Sequence, residues 1–198
     1  HFGRSGTGLL HSLIDNHKQI TSLPSIYFSE FFDKSNWDKI RSNNIKEMVN
    51  NFVDIYPVLF DARSGFPINS KHGKKIEQIG IKEGMTSLGD SKEEFLFLDK
   101  KLFKSNLEKL LSDTKEIDEL IFFNLVNKAY EITLSNNKKT NIFYHIHNPD
   151  FYAKLNFKSL VNNCKWLMMV RDPIDSCESW VQKAFLENNY KDVVSKIV

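Results

Sequence analysis

Leu9, Leu10, Leu13 and Ile14 recur at the three-and-four spacing of an α-helix, directly after a glycine-rich turn, Gly3-Arg4-Ser5-Gly6-Thr7-Gly8. Residues 1–3 read as the end of a strand, so the chain opens on strand end, loop and helix, with the helix closing near Asn16-His17. From Ile20 to Phe32 the pattern predicts a short extended piece around Pro24 and an aromatic cluster of Tyr27, Phe28, Phe31 and Phe32. Positions 37–60 are mixed and specify no single element. Residues 62–92, rich in Gly, Ser, Lys and Asn and containing Pro67, predict an irregular surface excursion.

Between 93 and 135 the apolar residues return to helical spacing, with Ile117, Leu120, Ile121, Leu125 and Ala129 on one stripe and a break near Ser112-Asp113, which predicts two helices. Ile142 to Ile146 and Trp166 to Val170 are short apolar runs bounded by polar or turn residues, the pattern of buried parallel strands. After the second run, Arg171-Asp172-Pro173 supplies an N-cap aspartate and a proline suited to the first helical position. Ile174, Cys177, Val181, Ala184 and Phe185 continue as a helical stripe. Strands followed by helices predict an open α/β sheet, and no internal repeat interrupts the order.

Composition narrows this picture without redirecting it. The chain has 198 residues, 41% of them hydrophobic, enough for one sizeable core, and 1–198 is read as a single domain. Lys+Arg 27 against Asp+Glu 25 gives a net charge of +2, with no run of like charge that could form an arm for nucleic acid or anionic lipid. An anionic ligand must then be held by a local site. The longest apolar stretches, such as 120–123 and 166–170, fall far below the ~20 residues of a membrane span, and no signal-peptide pattern opens the chain. Cys164 and Cys177 are the only cysteines and sit among apolar residues, as small buried hydrophobes would. These features lead us to expect a soluble protein in a reduced, cytoplasmic setting. The start at His1 and the stop soon after a helical pattern lead us to expect a fragment of a longer chain.

A glycine-rich turn between strand and helix puts consecutive N–H groups at the positive end of a helix dipole, which makes a cradle for phosphate or sulfate. Its spacing Gly3-x4-Gly8 mimics the ATP-binding loop, but Leu9 and Leu10 stand where that loop needs Lys and Ser or Thr. The phosphate lysine and the magnesium hydroxyl used in phosphoryl transfer are therefore missing, while Arg4 keeps a positive side chain in the turn. A dinucleotide-binding loop fails on glycine spacing, and Asp33 lacks the preceding strand it would need. A tight structural turn is the competing reading.

Arg4-Ser5-Gly6-Thr7 before an apolar helix resembles the 5′-phosphosulfate loop of sulfotransferases that use 3′-phosphoadenosine 5′-phosphosulfate (PAPS). Trp166 to Trp180 resembles the same family's 3′-phosphate segment, in which an arginine ends a strand and a serine eight positions later sits on the next helix; here these are Arg171 and Ser179. The stretch His11 to Asp33, with Leu23-Pro24 and Glu30-Phe31-Phe32-Asp33, is similar to bacterial members, including cyanobacterial ones that carry tetratricopeptide repeats. The resemblance covers about the first 33 and the last 60 residues, and leaves 34–140 as a variable acceptor-side region. It departs from the family at Gly8, where a second threonine is usual, and lacks the later glycine-containing segment that closes over the 3′-phosphate and adenine.

The resemblance implies a three-layer P-loop-type α/β domain with a central parallel sheet. It also implies PAPS as donor, 3′-phosphoadenosine 5′-phosphate (PAP) as product, no metal, and a hydroxyl or amine acceptor on a small molecule, glycan or peptide. Arg4, Ser5, Gly6, Thr7, Gly8 and Leu9 would hold the 5′-phosphosulfate, and Arg171 and Ser179 the 3′-phosphate. The acceptor needs a general base. In the family's register His147 is that base and His145 replaces a lysine that assists the leaving group; Glu30 is the rival, because other branches use a glutamate there. Both histidines could equally be structural, Glu30 a solvated acid, Arg171 a surface ion-pair partner of Asp172 or Asp175, and Ser179 a solvent-facing helix serine. Two other classes stay open: an NTP-dependent kinase or transferase, and a binding module that retains the nucleotide loop without chemistry. His11, His17 and His72 show no metal-ligand spacing with the cysteines, and Glu93-Glu94 reads as a helix start or solvated face. The aromatic cluster reads as core ahead of an acceptor wall.

Overall fold

The computed structural model describes residues 6–15, 17–24, 28, 30–64, 79–82, 84–136, 139–146 and 151–187. In chain order these form α1 (Thr7–Ile14), β1 (Ile20–Ser22), α2 (Lys34–Ile40), α3 (Ile45–Ile55), a 3-10 turn (Pro57–Leu59), α4 (Ile79–Lys82), α5 (Lys100–Ser112), α6 (Glu119–Thr133), β2 (Asn141–Phe143), α7 (Phe151–Leu160) and α8 (Pro173–Glu187). They fall into two units. The larger spans 15–162, and the smaller joins 1–14 to 163–198.

Helix starts in the larger unit are set by short polar side chains that accept from otherwise orphaned N–H groups. Asp33 accepts from Ser35 N–H at 2.9 Å, Asn44 from Lys46 and Glu47, Asp99 from Lys101 and Leu102, and Asp118 from Ile121 at 2.7 Å. The helices enclose an aromatic core. Phe31, Phe32, Phe52, Phe60, Phe103 and Phe122 are fully buried, and burying each such ring stabilises the fold by roughly 1.5–3 kcal/mol. Phe28 stacks on Phe123 at 5.7 Å and 10°, and Tyr130 Oη donates to the Leu59 carbonyl at 3.0 Å. β1 and β2 form a two-stranded parallel ladder, Ile20 opposite Asn141 and Ser22 opposite Phe143. The larger unit is thus a mixed helix and strand body with its core between α2, α3, α5 and α6.

Several expectations hold. The break between α5 and α6 falls at Ser112-Asp113, α1 ends at Ile14, and Pro173 opens α8 with Asp172 as its cap. Others are corrected. Positions 37–60 are two helices, α2 and α3, whose cap Asn44 and stripe Ile45, Met48, Val49, Phe52 and Val53 are both present in the sequence. The deepest face of α6 is Phe122, Phe123, Val126, Ala129 and Tyr130, and Leu120 and Leu125 only flank the core. Of the two readings of Glu93-Glu94 the helix start fails and the solvated face holds: both acids are exposed, and Glu94 bridges to Leu88.

The run expected to be a buried strand over 142–146 is extended only to Phe143, with Asn141 and Ile142 exposed. A parallel strand is buried when neighbours and helices cover it on all sides, and among the described residues β2 has β1 alone in its ladder. In the smaller unit, residues 166–170 form no ladder among the described residues, with Trp166 49% and Val170 85% exposed. Cys164 and Cys177 are exposed rather than buried, the first just before that uncovered run and the second on α8, where it lines an open groove with Ile174 and Val181. Ile174 is also exposed, and among the described side chains of α8 Ser176 is the buried one. Residues 1–5, 65–78 and 147–150 lie outside the described residues, so the strand end at 1–3 and about half of the 62–92 excursion do too. No helix among the described residues is long and apolar enough to cross a membrane.

Candidate functional site

The smaller unit carries both of the sequence segments expected to bind anions. Gly6 precedes α1 with φ +87°, a backbone region that glycine enters without steric cost. Its carbonyl accepts from Leu10 N–H at 3.0 Å, the first turn of the helix. The N–H groups of Thr7, Gly8 and Leu9 thus belong to the helix start, where no intrahelical acceptor exists for them. Thr7 is half-buried, and Gly8 and Leu9 are exposed. A Cβ placed on Gly8 would meet no atom within 4 Å, and one on Gly6 would lie 3.8 Å from the Met169 methyl. The glycine turn therefore sits beside the run that leads into Arg171.

Arg171 is exposed at the end of that run. Asp172 then turns its side chain onto α8, accepting from Ile174 N–H at 2.8 Å, while its carbonyl accepts from Ser176 N–H at 3.0 Å. This cap engages Asp172 with its own helix. Ser179 is half-buried about two turns into α8. Arg4 and Ser5 lie outside the described residues. The structure thus brings Gly6, Thr7, Gly8, Leu9, Arg171 and Ser179 into one compact unit.

Of the base candidates, Glu30 and His145 belong to the larger unit. Because β1 and β2 run parallel, the chain leaves both strands at the same end, towards Leu23-Pro24 from one and Tyr144-His145 from the other. Tyr144 Oη donates to the Phe28 carbonyl at 3.2 Å, and its ring packs edge-on against Phe28 and Phe32. These contacts draw the turn that carries Glu30 towards the strand end that carries His145. Glu30 is half-buried, its carbonyl fixed by Asp33 N–H at 2.9 Å and Asn36 Nδ2 at 2.8 Å. His145 is half-buried with both ring nitrogens shielded from solvent. His147 and Tyr27 lie outside the described residues. Phe28, Phe31 and Phe32 are core.

Sequence reasoning passed over three buried polar features of the larger unit. Glu131 on α6 accepts a short hydrogen bond from the Thr21 hydroxyl and pairs with Lys139 Nζ at 3.3 Å, tying the β1–β2 ladder to the helix with both charged side chains buried. Glu119 and Asn156 meet at 2.9 Å. The Tyr56 phenol is pushed far up by burial, and then by the charges of Glu30, Asp33 and Glu119. For Glu119 the signal was weak, because an acid at a helix start reads as a favourable dipole partner on the surface. Among the described residues no group of three or more His, Cys, Asp or Glu is placed to hold a metal. Comparison with family models, with curated proteins and with solved structures finds no match to this chain.

Proposed function

We propose that the chain is a PAPS-dependent sulfotransferase domain of three-layer P-loop type, transferring a sulfuryl group to a hydroxyl or amine acceptor. The observation that supports this reading is that two candidate anion-binding segments fall in one unit: a glycine turn at a helix N-terminus, and the run ending in Arg171, whose Met169 methyl lies 3.8 Å from where a Cβ on Gly6 would stand. Two such segments suit a ligand with two separate anionic groups, a 5′-phosphosulfate and a 3′-phosphate. The open space around Gly8 leaves room for an anion at the first turn of α1.

In this reading Thr7 and the N–H groups at the start of α1 hold the 5′ group, together with Arg4 and Ser5, and Arg171 and Ser179 hold the 3′-phosphate. Sulfuryl transfer places charge on the leaving phosphate, and fixed donors stabilise that charge without a metal. The acceptor oxygen or nitrogen forms a bond to sulfur as the bond from sulfur to the phosphate oxygen breaks. The acceptor proton passes to His147, His145 or Glu30. A kinase reading is disfavoured by Leu9 and Leu10, which supply neither charge nor a metal ligand. Replacing Arg171 with Ala is expected to weaken PAP binding by about 1.5–3 kcal/mol, the range for a hydrogen bond to a charged group. Calorimetric titration checks this, and unchanged affinity would remove Arg171 from the site.

A further inference from the structure

Glu119 is the first residue of α6, directly after the cap Asp118, and only 7% of it is exposed. Its Oε2 accepts from Asn156 Nδ2 of α7 at 2.9 Å, and the same amide nitrogen donates to the Phe32 carbonyl at 2.9 Å. One amide group thus joins α7 to α6 and to the turn before α2. The other oxygen, Oε1, is buried with no hydrogen-bond partner among the described residues.

An ionised carboxylate offers about four lone-pair sites, and a single amide donor satisfies little of that demand once water is excluded. A protonated carboxyl needs far less. The positive end of the α6 dipole favours the ionised form, but this contribution is small beside the loss of hydration. The charges around the group are mixed: Lys34 of α2 favours ionisation, whereas Asp38 of α2 and Asp118 oppose it. At the end of α3 stands the Tyr56 phenol, which burial keeps neutral, and α7 presents the uncharged Asn156 amide.

We infer that Glu119 and Asn156 form a proton-dependent latch, closed while Glu119 is protonated, that fastens α7 to α6 and to the Phe32 turn. The latch acts on the candidate base segment, because the chain enters α7 from β2 through residues 144–150. α7 also packs Phe157 against Phe32 and Tyr144, at ring distances of 5.0 and 5.5 Å. Loosening α7 therefore loosens the packing next to His145. The inference holds whatever reaction the chain performs.

Burial holds the Glu119 carboxyl above the ordinary glutamate value of 4.5, against the Asn156 hydrogen bond and Lys34. The folded state then keeps a proton that the opened state releases. The stabilisation is fully present below 4.5 and is lost as pH rises through the folded-state value. The test is a carboxyl-carbon NMR titration of the full chain, with Glu119→Gln to assign the signal, combined with amide exchange of α7. Glu119 is expected to titrate above 4.5, and higher still in Asn156→Ala, which removes a donor to the ionised form. The opening equilibrium of α7 is expected to rise by up to roughly tenfold per pH unit between 4.5 and the Glu119 midpoint, then level off, and to stay flat in Glu119→Gln. Titration of Glu119 at or below 4.5 would overturn the latch, and so would the same α7 pH profile in wild type and Glu119→Gln. Where Glu119→Gln fails to fold, through-bond assignment of the Glu119 carboxyl in the wild-type chain identifies the signal, and its titration at or below 4.5 still overturns the latch.

Discussion

Phe31 lies parallel to Phe122 at 6.4 Å and 2°, and touches Phe28, Phe32 and Phe123 as well. Truncating it leaves a cavity that rigid neighbouring rings cannot refill, so Phe31→Ala is expected to cost about 3–5 kcal/mol in urea unfolding. Its aromatic character was readable as core from the sequence, because an apolar ring has few stable places outside one. The chemistry-bearing residues were legible to a different depth. Thr7 and Arg171 were singled out through the resemblance of the glycine turn and of the 166–180 segment to the sulfotransferase family. No comparable pattern marks the proton acceptor, since a histidine or glutamate near a strand end serves structure and catalysis equally well. His147→Ala is expected to reduce transfer from PAPS to a panel of hydroxyl and amine acceptors by roughly 10²–10⁴-fold while leaving PAP binding intact, if His147 is the base. Full activity in that variant would shift the role to Glu30 or His145.

Helices were legible where a periodic stripe and a cap agreed. α5 and α6 combine both, with Asp99 and Asp118 at their starts, and α8 announces itself through Asp172-Pro173. α3 carried the same signals and was missed because the aromatic and amide residues around Asn50, Asn51, Phe52 and Tyr56 blur the stripe. Its cap provides a test. Asn44→Ala removes the acceptor for Lys46 and Glu47 N–H and is expected to cost about 0.5–2 kcal/mol, with faster amide exchange confined to the first turn of α3. An effect spread over the whole core would mean that Asn44 does more than cap. Strands were the harder problem. The runs at 142–146 and 166–170 have strand composition, but a strand is defined by its ladder partner, which lies elsewhere in the chain and leaves no local trace. Periodicity alone therefore could not tell an exposed extended run from a buried one.

The chain resolves into two units with different chemistry. The larger owns the aromatic core, the β1–β2 ladder and the candidate bases Glu30 and His145, and the smaller owns the two candidate anion-binding segments. The sequence places those segments at opposite ends of the chain, and the α/β pattern by itself does not say that they meet. Their meeting in the smaller unit is the structural result on which the proposed donor site rests. A 3′-phosphate distinguishes PAP from ADP, and a ligand held by backbone N–H groups and an arginine has no need of a divalent cation. The central claim is therefore tested most directly by calorimetric titration of the chain with PAP and with ADP, each with and without Mg²⁺. Clear preference for PAP, unchanged by Mg²⁺, is the predicted result. Equal affinity for the two nucleotides, or binding that appears only with Mg²⁺, would contradict the sulfotransferase account.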